Sequence, residues 1–199
     1  IGKTVLMTEL SARFQEMDDW TVIALSPETD MIHSLAAKLA GIRRFAEIFR
    51  SAKINLSLLG MGAEIPSEPP ITDDEVAVTR MMKSIQTHGG RVLITVDEVT
   101  NNEYIRKFAA VYQIWLRDNL PMFLLMTGLY ENIYELQNEK SLTFLYRAPK
   151  VKLRPLNFTA IAHAYQTTLG ISRDQSFAMA KLTRGYAFAF QVLGYFTFR

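Results

Sequence analysis

Cysteine is absent from the 199 residues, which excludes disulfide staples and thiolate metal centres. Histidine is scarce. His33, His88 and His163 stand far apart, a spacing that argues against a histidine-built metal site and for ordinary surface or boundary positions. Charge of one sign is not in excess: 22 Lys and Arg face 20 Asp and Glu, a formal net charge of +2. Bulk electrostatics therefore gives no reason to expect a nucleic-acid or membrane partner. No apolar run approaches the roughly 20 residues that span a bilayer, and no charged leader followed by a hydrophobic segment opens the sequence. A cytoplasmic protein is expected, with one reservation: the sequence starts at Ile1, not Met, so a targeting segment upstream would go unseen. There is no internal repeat and no low-complexity tract. The length suits one α/β domain with a small appendage.

Thr4 to Gln15 reads as a helix on Leu6, Leu10 and Phe14, and the apolar run Trp20 to Leu25 as a buried strand. Asp30 caps a second expected helix from Met31 to about Leu39, closed by Gly41. Lys53 to Ile65 suggests a small hairpin or an irregular excursion, and the prolines of "EIPSEPP" mark a loop. Thr72-Asp73-Asp74-Glu75 fits a capping box for a helix to about Thr87, ended by Gly89-Gly90. "RVLITVDEV" (Arg91 to Val99) is a buried strand finishing on two carboxylates, Asn102 to Asp118 a long helix, and "MFLLMTG" (Met122 to Gly128) a further strand. Strictly alternating "KVKLRPL" (Lys150 to Leu156) is expected to be one more strand, followed by helices over Phe158 to Leu169, Ser172 to Leu182 and Tyr186 to Phe196. Strands alternating with helices predict an α/β fold with a mostly parallel sheet and helices on both faces. The predicted division is 1–155 for this core and 156–199 for a helical appendage.

Three features carry chemistry. Gly2-Lys3-Thr4 is weak alone, since such a tripeptide arises by chance in roughly one chain of this length in ten. A phosphate-gripping loop needs a lysine ammonium for the terminal phosphates, a hydroxyl for Mg²⁺ and a helix starting at once, so that its N-terminal partial charge adds to the field. Lys3, Thr4 and the helix after them supply these. Second, "VLITVDEV" delivers Asp97 and Glu98 to the carboxyl end of a strand, the edge where open α/β sheets hold ligands. Asp97 there can hold Mg²⁺ and Glu98 can polarise an attacking water; the plainer alternative is that both acids cap the next helix. Third, Thr127 at the tip of "FLLMTG" offers a hydroxyl to a γ-phosphate or its water, or is merely a turn residue before Gly128. Ser26, ending the Trp20 strand, is read as a turn residue.

In this order "GKT", "VLITVDE", "LLMTG" and "LRPLNFTAIAHAY…LTRGYAFAFQVLG" resemble the P-loop ATPase module of the AAA+ and STAND class, in particular prokaryotic ATPases similar to origin-recognition and archaeal-type ATPases. The resemblance covers nearly the whole chain. It implies a P-loop three-layer sandwich whose Walker A ends in Gly2, Lys3 and Thr4, whose Walker B is Asp97 and Glu98, and whose sensor 1 position is Thr127. A helical lid would start at about Leu156. It implies ATP and Mg²⁺ as cofactors, with Thr4 and Asp97 serving the metal and Glu98 and Thr127 serving catalysis. It also implies that the loop glycines and a central strand, lying between the Met122 and Lys150 strands, belong before Ile1. Residues 1–199 alone are then expected to bind Mg-ATP poorly. The chain departs from the pattern at Gly185-Tyr186-Ala187, where the family usually has Gly-Tyr-Pro. Arg184 is a candidate nucleotide sensor and Arg147 a candidate finger for a neighbouring subunit, although for both a solvated arginine is the better expectation. Lys150, Lys152 and Arg154 suit an exposed edge strand better than a DNA patch. The aromatics from Tyr186 to Phe198 are expected to form lid core or to pack on a further domain.

Three functions compete: an ATP-hydrolysing switch, which Glu98 favours; a nucleotide-gated module that assembles a homo-oligomer or engages DNA or a protein effector with little turnover; and, last, a small-molecule kinase, which lacks an arginine-rich lid.

Overall fold

The computed structural model describes residues 2–57, 60, 69–139 and 142–198. Its elements run α1 (Lys3–Gln15), β1 (Trp20–Leu25), α2 (Met31–Ala40), α3 (Arg43–Ser51), α4 (Asp74–Thr87), β2 (Arg91–Val96), α5 (Glu103–Arg117), β3 (Met122–Met126), α6 (Tyr130–Asn138), α7 (Thr143–Arg147), α8 (Phe158–Leu169), α9 (Arg173–Thr183) and α10 (Ala187–Phe198). The chain divides into two compact units, residues 6–148 and residues 1–5 with 149–199, the first division falling inside α1.

The larger unit is α/β. Among the described residues its three strands are all parallel in the order β1-β2-β3, with Trp20 opposite Arg91 and Val92 opposite Met122. Apolar side chains decide this. β2 buries every residue after Arg91, as a central parallel strand must. Ile23, Leu25, Val92, Ile94, Val96 and Met122 join Leu35 and Leu39 of α2, Met81, Met82 and Ile85 of α4, and Phe108 and Trp115 of α5 in one core. Each such side chain stabilises the fold by about 1.5–3 kcal/mol. On the other sheet face, Phe14 of α1 meets Trp20 with ring centroids 4.5 Å apart, and Trp20 meets Phe123 at 4.9 Å.

Helix ends follow local chemistry. Asp30 caps α2 through Ile32 and His33 N–H, and Asn102 caps α5 through Ile105 N–H. At α4 the cap is Asp73, accepting from Val76 N–H, one residue later than the expected Thr72; a carboxylate at a helix start also gains from the dipole. Asp30 additionally takes the Lys107 ammonium at 2.8 Å, which holds its carboxyl below the ordinary value despite partial desolvation. Helix α3 is a departure from expectation: only Phe45 and Phe49, one turn apart, are buried among its charged residues, too few apolar positions to show a period. Of the hairpin or irregular excursion expected over 53–65, residues 53–57 and 60 contain no strand and are irregular; the remainder lies outside the described residues.

The two sheet edges differ. Along β1 the Gln15 amide oxygen accepts from Val22 N–H at 3.3 Å, the Lys38 ammonium donates to Ala24 O at 2.6 Å, and the Arg44 guanidinium donates to Trp20 O and to Thr21 Oγ1. Side chains thereby occupy the edge where another strand would pair. Along β3, Tyr112 donates its buried hydroxyl to Met122 O at 3.1 Å, and burial pushes that phenol up to about 12. Among the described residues no hydrogen bond reaches the outward amide groups of Leu124 and Met126.

In the smaller unit α8, α9 and α10 pack around Ile161, Ala162, Tyr165 and Ala180, with Phe158, Phe177 and Phe190 against them. Ser172 and Gln175 form a capping box at α9. The strand expected at Lys150 to Leu156 is absent: this stretch lies outside any sheet, with Val151 80% exposed. Alternation alone makes a chain extended; a strand also needs a ladder of bonds to a neighbouring strand. Of the α10 aromatics only Phe190 reaches the core, its ring 4.9 Å from Tyr165, while Phe188, Tyr195, Phe196 and Phe198 are exposed; the expectation of lid core fails for these four.

Gly185 is fixed by two constraints. Its φ is +76°, and a Cβ would lie 2.8 Å from Pro155 Cβ and 2.9 Å from Leu156 O, where Leu156 N–H donates to Gly185 O at 2.8 Å. Gly185→Ala is therefore expected to cost about 2 kcal/mol or more from left-handed strain and displaced backbone. Thermal melting followed by circular dichroism should show a loss of several degrees; an unchanged Tm would contradict the close approach.

Candidate functional site

The chemistry-bearing residues of the larger unit meet where β2 and β3 end. β2 stops at Val96, short of the expected Val99, and the reason is a bulge. Thr127 N–H donates to Val96 O at 2.9 Å, and Val99 N–H donates to Thr127 O at 2.8 Å. In an unbroken parallel ladder the second bond would come from residue 98. One extra residue is thus inserted between the two bonds, and Glu98 absorbs it with a φ of +53°, in the left-handed region that a non-glycine residue rarely occupies.

The bulge sets two carboxylates differently. Asp97 is half-buried, and its Oδ1 accepts both Glu98 N–H at 2.9 Å and the Thr127 hydroxyl. Glu98 is exposed. Gly128 follows under tight packing: a Cβ there would sit 3.0 Å from Val99 Cγ2, 3.1 Å from Val99 O and 3.2 Å from Ile133 Cδ1. The end of β3 is thereby held against the end of β2.

Asn102, read from sequence only as the start of a helix, has a second task. Its Nδ2 donates to Pro27 O at 2.9 Å and to Thr100 Oγ1 at 3.2 Å while its Oδ1 caps α5. The loops after β1 and β2 are tied together by one amide. Asparagine at the cap was the available signal, because its amide keeps two N–H donors after its oxygen has accepted from the helix, where an ionised Asp keeps none and a Ser only one. Ser26 accepts Glu28 N–H at 3.3 Å, the turn role expected of it.

Asp97, Glu98 and Thr127 are therefore brought together. Gly2, Lys3 and Thr4 belong to the other unit, where α1 begins at Lys3 and Gly2 has a φ of +92° that favours glycine. Arg184 lies there too, exposed, ending α9 in the left-handed conformation with φ +49°. Arg147 ends α7 exposed, and Lys150, Lys152 and Arg154 are exposed.

Among the described residues no group of three or more His, Asp or Glu is placed to hold a metal ion by itself. A single fixed carboxylate instead suits Mg²⁺ that takes its other ligands from a hydroxyl, water and phosphate oxygens. Among the described residues no helix is long and apolar enough to cross a membrane. No protein-family model matches the chain, and no curated protein matches it.

Proposed function

We propose that this chain is the nucleotide-handling module of an ATP-driven switch of the AAA+ and STAND type, built on a P-loop framework. The observation that carries the reading is the bulged end of β2, which holds Asp97 between a backbone N–H and the Thr127 hydroxyl and leaves Glu98 exposed beside it. This arrangement follows Gly2-Lys3-Thr4 in the chain order that the resemblance requires.

In this reading Lys3 neutralises the terminal phosphates, and the helix starting at Lys3 adds its N-terminal partial charge. Thr4 and Asp97 would hold Mg²⁺, whose chemistry is to draw charge from the phosphate oxygens in the transition state. Glu98 orients a water and takes its proton as the water oxygen bonds to the γ-phosphorus; the bond to the β-phosphate oxygen breaks, and ADP leaves with that electron pair. The resemblance makes Arg184 the candidate nucleotide sensor, and the output would pass to a homo-oligomer or to a DNA or protein effector.

The test is release of radiolabelled phosphate from γ-labelled ATP with and without Mg²⁺, beside Lys3→Ala. Metal-dependent release is expected, with ATP binding weakened about tenfold or more in Lys3→Ala, in keeping with loss of a charge-assisted contact. ATP binding without turnover would instead favour the nucleotide-gated module. No binding across the millimolar range in a folded chain would overturn both.

A further inference from the structure

We propose that Thr127 is a positioning residue for Asp97, and not a group that touches the γ-phosphate or its attacking water; this rests on the nucleotide reading above. The argument begins with proton count. A threonine hydroxyl carries one proton, and here it is donated to Asp97 Oδ1. A hydroxyl so committed can turn only lone pairs toward an anionic phosphate oxygen, which repel it. The backbone of Thr127 is equally committed, its N–H to Val96 O and its carbonyl to Val99 N–H. All three hydrogen-bonding groups of the residue thus point across the bulge at the strand end that carries Asp97.

The consequence is a rigid carboxylate. Asp97 Oδ1 receives two donors, Glu98 N–H and the Thr127 hydroxyl, and two fixed donors on one oxygen set the plane in which the carboxylate meets a cation. Outer partners of this kind typically govern metal affinity by 10–100-fold. Gly128, pressed between Val99 and Ile133, keeps the Thr127 backbone from drifting. Thr127 therefore acts on the metal through Asp97, so its loss should appear as a changed metal requirement and leave the chemical step nearly intact once metal is saturating.

The experiment uses Mn²⁺ as the probe, its free concentration read by electron paramagnetic resonance during titration of the whole chain with ATP present. Thr127→Val, which keeps the shape and removes the hydroxyl, is expected to weaken Mn²⁺ binding by about 10-fold or more, and Thr127→Ser to restore it to within about threefold. At saturating Mn²⁺, kcat of Thr127→Val should stay within about threefold of the unaltered chain, in line with a positioning role. In metal-free protein, Asp97→Asn should shift the Thr127 methyl resonance. Mn²⁺ binding that falls in Asp97→Asn but not in Thr127→Val overturns this proposal alone, as does a kcat loss at saturating metal with unchanged affinity. Mn²⁺ binding that Asp97→Asn leaves untouched, or none at all, overturns the nucleotide reading together with it.

Discussion

Replacing Glu98 by Gln is expected to lower ATP turnover by about 10²–10⁴-fold while leaving ATP affinity within about threefold, as removal of a general base does. Gln keeps the size and hydrogen-bonding reach of the side chain but cannot take a proton from water, so the loss isolates the chemical step. Radiolabelled phosphate release gives the rate and calorimetry the affinity; a Glu98→Gln chain turning over as fast as the original would remove Glu98 from the mechanism. The backbone at this residue makes a companion variant informative. Glu98 has a φ of +53°, a conformation that costs a residue with a Cβ about 1–2 kcal/mol. Glu98→Gly relieves that strain, offset in part by glycine's freedom in the unfolded chain, so Tm is expected to hold or rise by a degree or two while turnover is lost. A gain in stability with a loss of activity is the signature of strain retained for function.

The parts of the fold legible in sequence are those where a local rule and the tertiary environment agree. β1 spans Trp20–Leu25 as its apolar, β-branched run predicts, and Asn102 and Asp118 bound α5 as cap residues should. Where only one of the two operates, reading fails. Lys150 to Leu156 alternates as a strand does but joins no sheet among the described residues. Helix α3 has neighbours, through Phe45 and Phe49, but only two buried positions to announce it. At the site, Asp97 and Glu98 are visible as two acids after an apolar run, and Thr127 as a hydroxyl ending another. Their difference in role is not visible. It arises from a register offset between β2 and β3, set by Thr127 bonding Val96 and Val99, and no residue type near Glu98 demands a left-handed backbone.

Proline at Leu125 is expected to unfold the larger unit, and proline at Leu124 to be tolerated far better. The register of β2 against β3, with Val92 N–H donating to Pro121 O and Thr127 N–H to Val96 O, fixes the alternation of amide groups along β3. Leu125 turns its N–H to β2; Leu124 turns its N–H to the outer edge, where no partner stands among the described residues. Proline lacks that N–H, so at 125 it removes a ladder bond and forces its ring against β2, a cost of about 3 kcal/mol or more. At 124 it removes nothing the sheet uses, and the penalty beyond that of Leu124→Ala, which controls for lost side-chain burial, should be about 1 kcal/mol or less. Urea denaturation of the three variants gives the comparison. The contrast with β1 sharpens the stakes, because Gln15, Lys38 and Arg44 fill that edge with side chains, while on β3 Tyr112 takes only Met122 O and no partner among the described residues reaches the amides of Leu124 and Met126. If Leu124→Pro proves as damaging as Leu125→Pro, the outward amides are paired in solution and the sheet extends beyond β3, the side on which the P-loop reading requires its central strand. If the two differ as expected, the outward amides of β3 carry no ladder bond among the described residues.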